Sequence, residues 1–558
     1  MGLELRPWQN EAVEKALNWL LNKKRDKRFL INAAPGTGKT ICAAVIAREL
    51  IDRNEIDRVI VIAPRREVVN QWRDEFKSVT KRTMLKVTGS NEDLGLDVCA
   101  TWNSVQNSLS LFDKMCSKEK TLVICDEHHH AAINAVWGTS ADKAFNNSKY
   151  VLVLTGTPIR TDGSQPVWFS YTVDGDKLKH DSEGTYTLDY GEAVDLKFCR
   201  PIFFHRHEGN FSVQLKQDGE TIKISGKKGV QIDSTNRPKK LLKAIQKSLD
   251  YYTLARAPQY KNDGKTPDLK SYQASMIEWG IAKLDEVKFR APNAGGLVIA
   301  PNIKVAEHMT DIIEGLTKEK PVLVHSQKTN SEDLIEAFRN SKKDWIVSVA
   351  MISEGVDIKR LRILVYLPSS QTELFFRQAM GRVVRSLGKD DDSRAYVVMP
   401  THKIFEEYAR RVESEMKPIY LTNVISKNTK KCPSCEKECK RDKKICDYCG
   451  FEFPEPKKKF KTCHSCGFHN NFDVDKCENC EESLRTDYIL TLNSALRMGG
   501  IAREMDITEE ETKEAEKHYR DIRKEILESG DARMIEALSL FPDESLIKLK
   551  NILNKISG

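Results

Sequence analysis

The sequence predicts an α/β protein built from two tandem domains, each a mostly parallel sheet covered by helices. Two small metal-bound modules and a helical tail follow. Three observations lead there. Residues 1–200 alternate short apolar runs with amphipathic stretches, and the same rhythm returns between Gly296 and Met399. Such alternation of buried strands with helices marks parallel sheets with crossover connections. Nine of the 14 cysteines fall between Cys432 and Cys480, at a spacing that repeats. A length of 558 residues leaves room for three or four domains.

Composition narrows the class. Hydrophobic residues make up 40% and charged residues 30%, which excludes wholesale disorder and collagen-like repeats. No stretch reaches the length of a membrane-spanning helix. The opening MGLELRPWQN has neither a basic n-region nor an apolar h-region, so a cleaved export signal is not expected. Arg6 stands where a myristoylation signal wants Ser or Thr. The expected location is the cytoplasm, with nucleoid association if the source is bacterial. The net charge of +8 suits a polyanionic partner. Without export, clustered cysteines point to metal rather than disulfides.

The first domain, residues 1–199, takes its strands from Phe29–Ala33, Val59–Ala63, Thr121–Cys125 and Tyr150–Leu154, all rich in aliphatic or β-branched residues. A polar, Gly-containing stretch near 162–190 reads as a loop or hairpin excursion. Residues 200–290 read as a linker or insertion region. It holds a possible hairpin over Phe211–Ile224, a helical segment from about Lys239 and a polar loop at Asn262–Lys265. The second domain, residues 291–425, takes strands from Gly296–Ala300, Val322–His325, Trp345–Ala350, Ile363–Leu367 and Ala395–Met399. The cysteine modules occupy 426–485. The tail, 486–558, is expected to be helical. Thr508 and Glu511 form a capping box, Ala515, Tyr519, Ile522 and Ile526 an apolar stripe, and Gly530 a stop.

Residues 33–40 read AAPGTGKT, between a strand and an apolar helix, Ile41–Leu50. This is a phosphate-binding loop in which Ala33 replaces the usual first glycine. Gly36, Thr37 and Gly38 turn backbone N–H groups onto phosphates, Lys39 adds a point charge, and Thr40 offers a hydroxyl to Mg²⁺. Residues 122–127 read LVICDE, an apolar strand delivering two carboxylates at its C-terminal end, where ligands sit in open α/β sheets. Asp126 is the expected Mg²⁺ holder and Glu127 the group that orients and deprotonates the attacking water. His128, His129 and His130 follow, but consecutive residues point in different directions and no further metal ligand is evident.

Together these segments resemble a superfamily 2 helicase or translocase of the DEAD/DEAH class. Asp126–His129 resembles the DEAH box, with His128 where the family has Ala. Thr155-Gly156-Thr157-Pro158 resembles the third motif, which couples hydrolysis to movement on nucleic acid. Leu5–Gln9 resembles the adenine-reading segment, which makes Gln9 the implied base contact. Ser353–Ile358, with Gly355 and Asp357, resembles the fifth motif, and Gln378–Arg385 the sixth. In the sixth, Gln378, Arg382 and Arg385 share one helical face. The resemblance makes Arg385 the arginine finger, supported by Arg382 and Gln378, because charge building on a transferred γ-phosphate needs a cation from the facing domain. The resemblance covers about residues 3–400 and implies two RecA-like domains. Gly296–Met309 and Gln371–Arg385 look most like the restriction-motor and XPB-like branch. A zinc module behind such a core also resembles the bacterial RadD-type DNA repair ATPases.

Val61–Gln71, with Arg65 and Arg66, and Thr101–Ser104 resemble strand-contacting motifs, which hold phosphates without reading sequence. Arg65, Arg66 and Trp102 read equally as ordinary surface and core residues. Behind the core, Cys432, Cys435, Cys446 and Cys449 recur 31 residues on as Cys463, Cys466, Cys477 and Cys480. The spacing C-x2-C-x10-C-x2-C presents two thiolate pairs per unit and predicts two structural Zn²⁺ sites. Cys439 and His464 are spare. Residues 427–461 carry 12 Lys/Arg against 6 Asp/Glu, with aromatics interleaved. That composition suits nucleic acid, and docking of a protein partner on the ribbons or the tail is the rival. The sequence thus predicts an ATP- and Mg²⁺-dependent nucleic-acid motor, with DNA favoured and RNA possible, acting in repair, recombination or genome defence. The alternatives are an RNA-stimulated ATPase and a zinc-ribbon adaptor whose ATPase core switches without translocating.

Overall fold

The computed structural model describes residues 4–416 apart from 23–24, 65, 88–96, 128–135, 157–167, 170, 175–176, 181–182, 215–220, 227–228, 233–248, 262, 329, 350–357, 389–390 and 392. Beyond 416 it describes parts of 429–498 and residue 528.

The first sheet is made of β1 (Arg28–Ala33), β2 (Arg58–Ala63), β3 (Met84–Lys86), β4 (Asp97–Thr101), β5 (Thr121–Cys125), β6 (Tyr150–Thr155) and β9 (Thr185–Leu188). Their order is β3-β4-β2-β5-β6-β1-β9, and every pairing is parallel. Strands β2, β5 and β6 are buried along their whole length. Their apolar runs are unbroken because both faces are covered. Val59, Val61, Leu122 and Ile124 point to one core, whereas Ile60, Ile62, Val123 and Val151 point to another built on Trp102, Phe112 and Phe145. Helices α1 (Pro7–Leu20), α2 (Lys39–Asp52) and α3 (Arg66–Thr80) contribute to the first of these cores. The excursion expected near 162–190 contains a separate antiparallel hairpin, β7 (Tyr171–Asp174) with β8 (Lys177–His180).

The second sheet is also wholly parallel, in the order β10-β18-β17-β14-β16-β15. Its strands are β10 (Ile202–His207), β14 (Gly295–Ile299), β15 (Val322–Val324), β16 (Trp345–Ser348), β17 (Leu361–Tyr366) and β18 (Ala395–Pro400). Both domains are α/β layers on a parallel sheet, the architecture implied by the resemblance given above. One boundary differs from the sequence reading. Residues 200–290 are not set apart from the second domain, because β10 is that domain's edge strand and the helix Tyr272–Lys288 buries its Met276, Ile277 and Leu284 in the shared core. An edge strand with alternate His and Arg residues carries too weak an apolar signal to be seen as part of a distant sheet.

A third sheet joins distant parts of the chain. The expected hairpin is β11 (Asn210–Gln214) with β12 (Thr221–Ser225), extended by β13 (Gly229–Ile232). In the cysteine region, the hairpin β19 (Thr429–Lys431) with β20 (Glu438–Lys440) recurs 31 residues on as β21 (Phe460–Thr462) with β22 (His469–Asn471). The chain then returns to the third sheet: β23 (Asp487–Thr491) pairs in parallel with β11. The tail therefore opens on a strand, not on the helix expected from about Thr486. Tyr488 and Leu490 are buried while Ile489 is 66% exposed, a period of two that five residues are too few to announce. Tyr488 packs on Phe211 and Tyr272 with ring centroids 5.5 and 5.7 Å away. The capping box at Thr508 and Glu511, the stripe ending at Ile526 and the helix expected from Lys239 lie outside the described residues. Among the described residues no helix is long and apolar enough to cross a membrane.

Candidate active site

The loop after β1 is turned by two glycines in the left-handed region, Gly36 (φ 79°) and Gly38 (φ 96°). Only a residue without Cβ takes these angles at low cost. The turn aims the N-terminus of α2 into a cavity of 270 Å³ between the domains. Unpaired N–H groups and the helix dipole make that end an anion site. Lys39 Nζ rests 2.8 Å from the carbonyl of Ala33. Burial lowers the Lys39 pKa, and the nearby carboxylates of Glu127 and Asp126 pull it back.

The cavity brings together most of the residues singled out in the sequence. Gly36, Gly38, Lys39, Thr40, Asp126 and Glu127 line it from the first domain, and Gln378, Arg382 and Arg385 from the second. The two sides touch. A Cβ added at Gly36 would lie 2.8 Å from Arg385 Cγ, and one at Gly381 would lie 2.8 Å from Pro35 Cβ. Cys199 Sγ donates to the Pro35 carbonyl at 3.3 Å; burial pushes this thiol up to about 12, so it stays protonated.

At the end of β5, burial and the neighbouring Glu127 carboxylate raise the Asp126 pKa, whereas a hydrogen bond from Trp72 and the charge of Lys39 lower it. The indole Nε1 of Trp72 donates to Asp126 Oδ2 at 2.8 Å. Glu127 follows with φ 47°, a conformation that strains a residue with a side chain and recurs at functional sites. Trp72 lies on α3, whose Val68, Gln71 and Glu75 line the cavity.

Thr37 and Gln9 are not among the residues that line the cavity. Thr37 is buried and gives its hydroxyl to the Ala34 carbonyl at 2.7 Å. Gln9, 4% exposed, donates to the Gly38 carbonyl at 2.9 Å and accepts from the Arg6 N–H at 2.8 Å. Arg6, not Gln9, lines the cavity; it reaches the Thr37 carbonyl at 2.8 Å and lies over the Phe198 ring at 4.7 Å. Sequence reasoning did not single out Trp72, Arg6 or Lys359, which also lines the cavity. Trp72 lies 54 positions before the carboxylate it holds, and no local pattern signals such a pair. His128, His129, His130, Thr157, Pro158, Gly355, Asp357 and Arg65 fall outside the described residues, as does the side chain of Arg66. Trp102 is a core residue, 1% exposed, and the hydroxyls of Thr101 and Ser104 lie 3.1 Å apart.

In the first cysteine unit, the sulfurs of Cys432, Cys435, Cys446 and Cys449 all lie within 4.8 Å of one another. Cys432 and Cys449 Sγ are 3.5 Å apart, and Cys435 and Cys446 Sγ 3.6 Å. A tetrahedral ion with 2.3 Å bonds to sulfur spaces its ligands by about 3.8 Å, so the four thiols fit such a metal. Cys439 Sγ lies 3.4 Å from Cys446 Sγ. Gly450 takes φ 73° after the knuckle. The cluster packs against Phe289, next to the helix Tyr272–Lys288 of the second domain. In the second unit Cys477 is buried and accepts from Asn470 Nδ2 at 3.5 Å; Cys463, Cys466 and Cys480 lie outside the described residues.

Comparison with known proteins finds described families in both domains. Residues 2–160 match the family described as Type III restriction enzyme, res subunit. Residues 281–386 match the helicase conserved C-terminal domain. An uncharacterized protein of Mycobacterium tuberculosis is 30% identical over 396 residues, 70% of this chain and 61% of that protein. The DNA 3'-5' translocase XPB2 of Sulfurisphaera tokodaii is 23% identical over 409 residues, 70% of this chain and 80% of that protein. A fragment of a putative HsdR subunit of a type I restriction enzyme from Vibrio vulnificus superposes with a TM-score of 0.47 at 16% identity, covering 72% of this chain and 65% of that one. The chain thus spans about three fifths, 61%, of the length of its mycobacterial relatives.

Proposed function

Because the chain carries the paired domains of a superfamily 2 helicase of the restriction-motor and XPB-like kind, we propose that it is a nucleic-acid-dependent ATPase that moves along DNA. One observation carries this reading. A single cleft holds the phosphate loop and two carboxylates from one domain and Gln378, Arg382 and Arg385 from the other. Mg·ATP is the substrate of that cleft. The α2 N-terminus, Gly36, Gly38 and Lys39 bind its phosphates, while Thr40 and Asp126 hold the metal, which neutralises phosphate charge. Glu127 orients and deprotonates water. Arg385, carried against the loop by the second domain, stabilises charge on the γ-phosphate with Arg382 and Gln378 beside it. Gln9 and Arg6 hold the base side of the loop, and Gly355 and Asp357 complete the nucleotide contacts from the second domain.

Closing and opening of the cleft moves the strand held across both domains. DNA is favoured over RNA by the name of the archaeal relative. The cysteine modules bind two structural Zn²⁺ ions through Cys432, Cys435, Cys446 and Cys449, and through Cys463, Cys466, Cys477 and Cys480. Four thiolates leave no open position, so the metal supplies folding energy rather than catalysis. The lysines and aromatics around them grip the nucleic acid.

The test is ATPase rate with single-stranded DNA, duplex DNA and RNA, beside Lys39→Ala. DNA should stimulate the wild type most, and Lys39→Ala should be inactive. Near-normal turnover by Lys39→Ala would remove the assignment. An ATP-dependent displacement of streptavidin from a strand end separates a motor from a switch that only binds.

A further inference from the structure

We infer that Arg200, at the crossing between the two domains, is a positioning residue that seats Arg385 over the phosphate loop. This rests on the ATPase reading above. Arg200 is 1% exposed, and its guanidinium makes five hydrogen bonds and an ion pair. Nε donates to Asp391 Oδ2 at 2.8 Å and to Ser393 Oγ at 3.0 Å. Nη1 donates to the carbonyls of Val383 at 3.1 Å and Leu361 at 3.4 Å. Nη2 donates to the carbonyl of Lys359 at 2.9 Å and reaches Asp391 Oδ2 at 2.6 Å. A planar guanidinium fixes several acceptors at once, which an ammonium cannot.

What is fixed is the arginine-bearing segment. Val383 lies between Arg382 and Arg385, and Lys359 lines the cleft. The backbone repeats the contact: Arg200 N–H donates to the Val384 carbonyl at 2.6 Å, and Cys199 pairs with Arg385 as an isolated antiparallel bridge. Cys199 meanwhile bonds the Pro35 carbonyl of the phosphate loop. Two consecutive residues at the crossing thus grip both halves of the cleft.

Arg362 provides an internal control. It is 1% exposed and shares the same carboxylate, Asp391, at 3.5 Å. Its remaining bonds go to Ser393 and to the carbonyls of Lys359 and Leu361, none of them within 382–385. Burial and charge are alike in the two arginines, and both reach Asp391, Ser393, Lys359 and Leu361; only Arg200 also holds the Val383 carbonyl. The pair also exceeds its one carboxylate in charge, so removing either arginine leaves Asp391 a partner.

The experiment compares Arg200→Met, Arg200→Lys and Arg362→Met in steady-state ATPase with saturating DNA, with thermal melts of each. A finger acts in the transition state and not in ground-state binding. Arg200→Met should therefore lose at least about tenfold in kcat with ATP KM within about threefold. Arg200→Lys keeps the charge without the fork and should lose as much. Arg362→Met should stay within about threefold of wild type in kcat. Because Arg200→Lys leaves Asp391 a cation, it is read even if Arg200→Met does not fold. Wild-type kcat in Arg200→Lys, or equal losses in Arg200→Met and Arg362→Met, overturns the inference. Arg385→Ala separates the two levels. If it is crippled while the Arg200 variants are normal, only this inference falls; if wild type itself hydrolyses no ATP, the ATPase reading falls and takes this one with it.

Discussion

Gly381→Ala tests whether the observed closure is the working one. Gly381 has φ −56° and ψ −14°, ordinary helical angles that suit alanine. Its obstacle is on the other domain. The new Cβ would lie 2.8 Å from Pro35 Cβ and 2.9 Å from Pro35 Cγ, with the Arg377 carbonyl at 3.2 Å. Carbon atoms pack best at about 3.5–4.0 Å, so the proline must retreat by roughly 0.7 Å or more. Overpacking of that order costs about 1–3 kcal/mol, which is roughly 5- to 150-fold in a rate that depends on closure. In the open protein the same alanine should be neutral, or stabilising by about 0.4–1 kcal/mol through the unfolded chain. The assay is DNA-stimulated ATPase at saturating ATP beside a thermal melt. The expected result is a lower kcat with an unchanged or higher melting temperature. Wild-type kcat in Gly381→Ala would refute the view that hydrolysis occurs with Gly381 against Pro35.

Trp72→Phe removes the indole hydrogen bond that Asp126 accepts; hydrogen bonds to charged groups contribute about 1.5–3 kcal/mol, so denaturant unfolding should show a loss near 2 kcal/mol and the Mg²⁺ needed for half-maximal ATPase should rise. No change in either would show that the contact is incidental. Metal analysis should find two zinc ions per chain, and their removal by a chelator should lower the melting temperature; undenatured protein with none would discard the ribbon reading. Burial acts to raise Asp391, but Arg200 and Arg362 outweigh it and hold its pKa at about 2. That is below the roughly 3.9 of an exposed aspartate, so its contribution is present above about pH 4 and is lost as pH falls through 2. The amount is about 2–3 kcal/mol; the acid limb of stability should flatten in Asp391→Asn, and an unaltered limb would contradict the pairing. The partners bear the cost of that cluster: burial lowers Arg200 and brings Arg362 down to about 9, so Arg362 stays charged at neutral pH.

Much of this was legible because the signals are local. The strands of both domains showed as apolar runs since both faces of each sheet are covered, and Gly36, Gly38 and Lys39 announce a phosphate loop within eight residues. The cysteine spacing is likewise local, and the repeated hairpins keep its 31-residue shift. What stayed hidden depends on partners far along the chain. Trp72 looks like any core aromatic until β5 brings Asp126 to it. Arg200 and Arg362 look like surface charges, and only the fold buries both beside Asp391. β10 was too polar to be seen as an edge strand, and β23 too short to overturn an expectation of helix. Gln9 matched a motif, but the bonds its amide makes to the Gly38 carbonyl and the Arg6 N–H are not announced by that motif.

The pairing of β23 with β11 has a mechanical consequence. The cysteine-rich stretch leaves the second lobe after the helix Lys403–Glu415 and comes back to it at Asp487. It is a handle fastened at both ends, not a leash hanging from one. A protease cut inside the handle would leave both pieces attached, whereas a stop codon ahead of Asp487 would uncover the aromatic faces of Phe211 and Tyr272. Any pull on the cysteine-rich part is delivered to the second lobe and, through it, to the arginines that line the cleft.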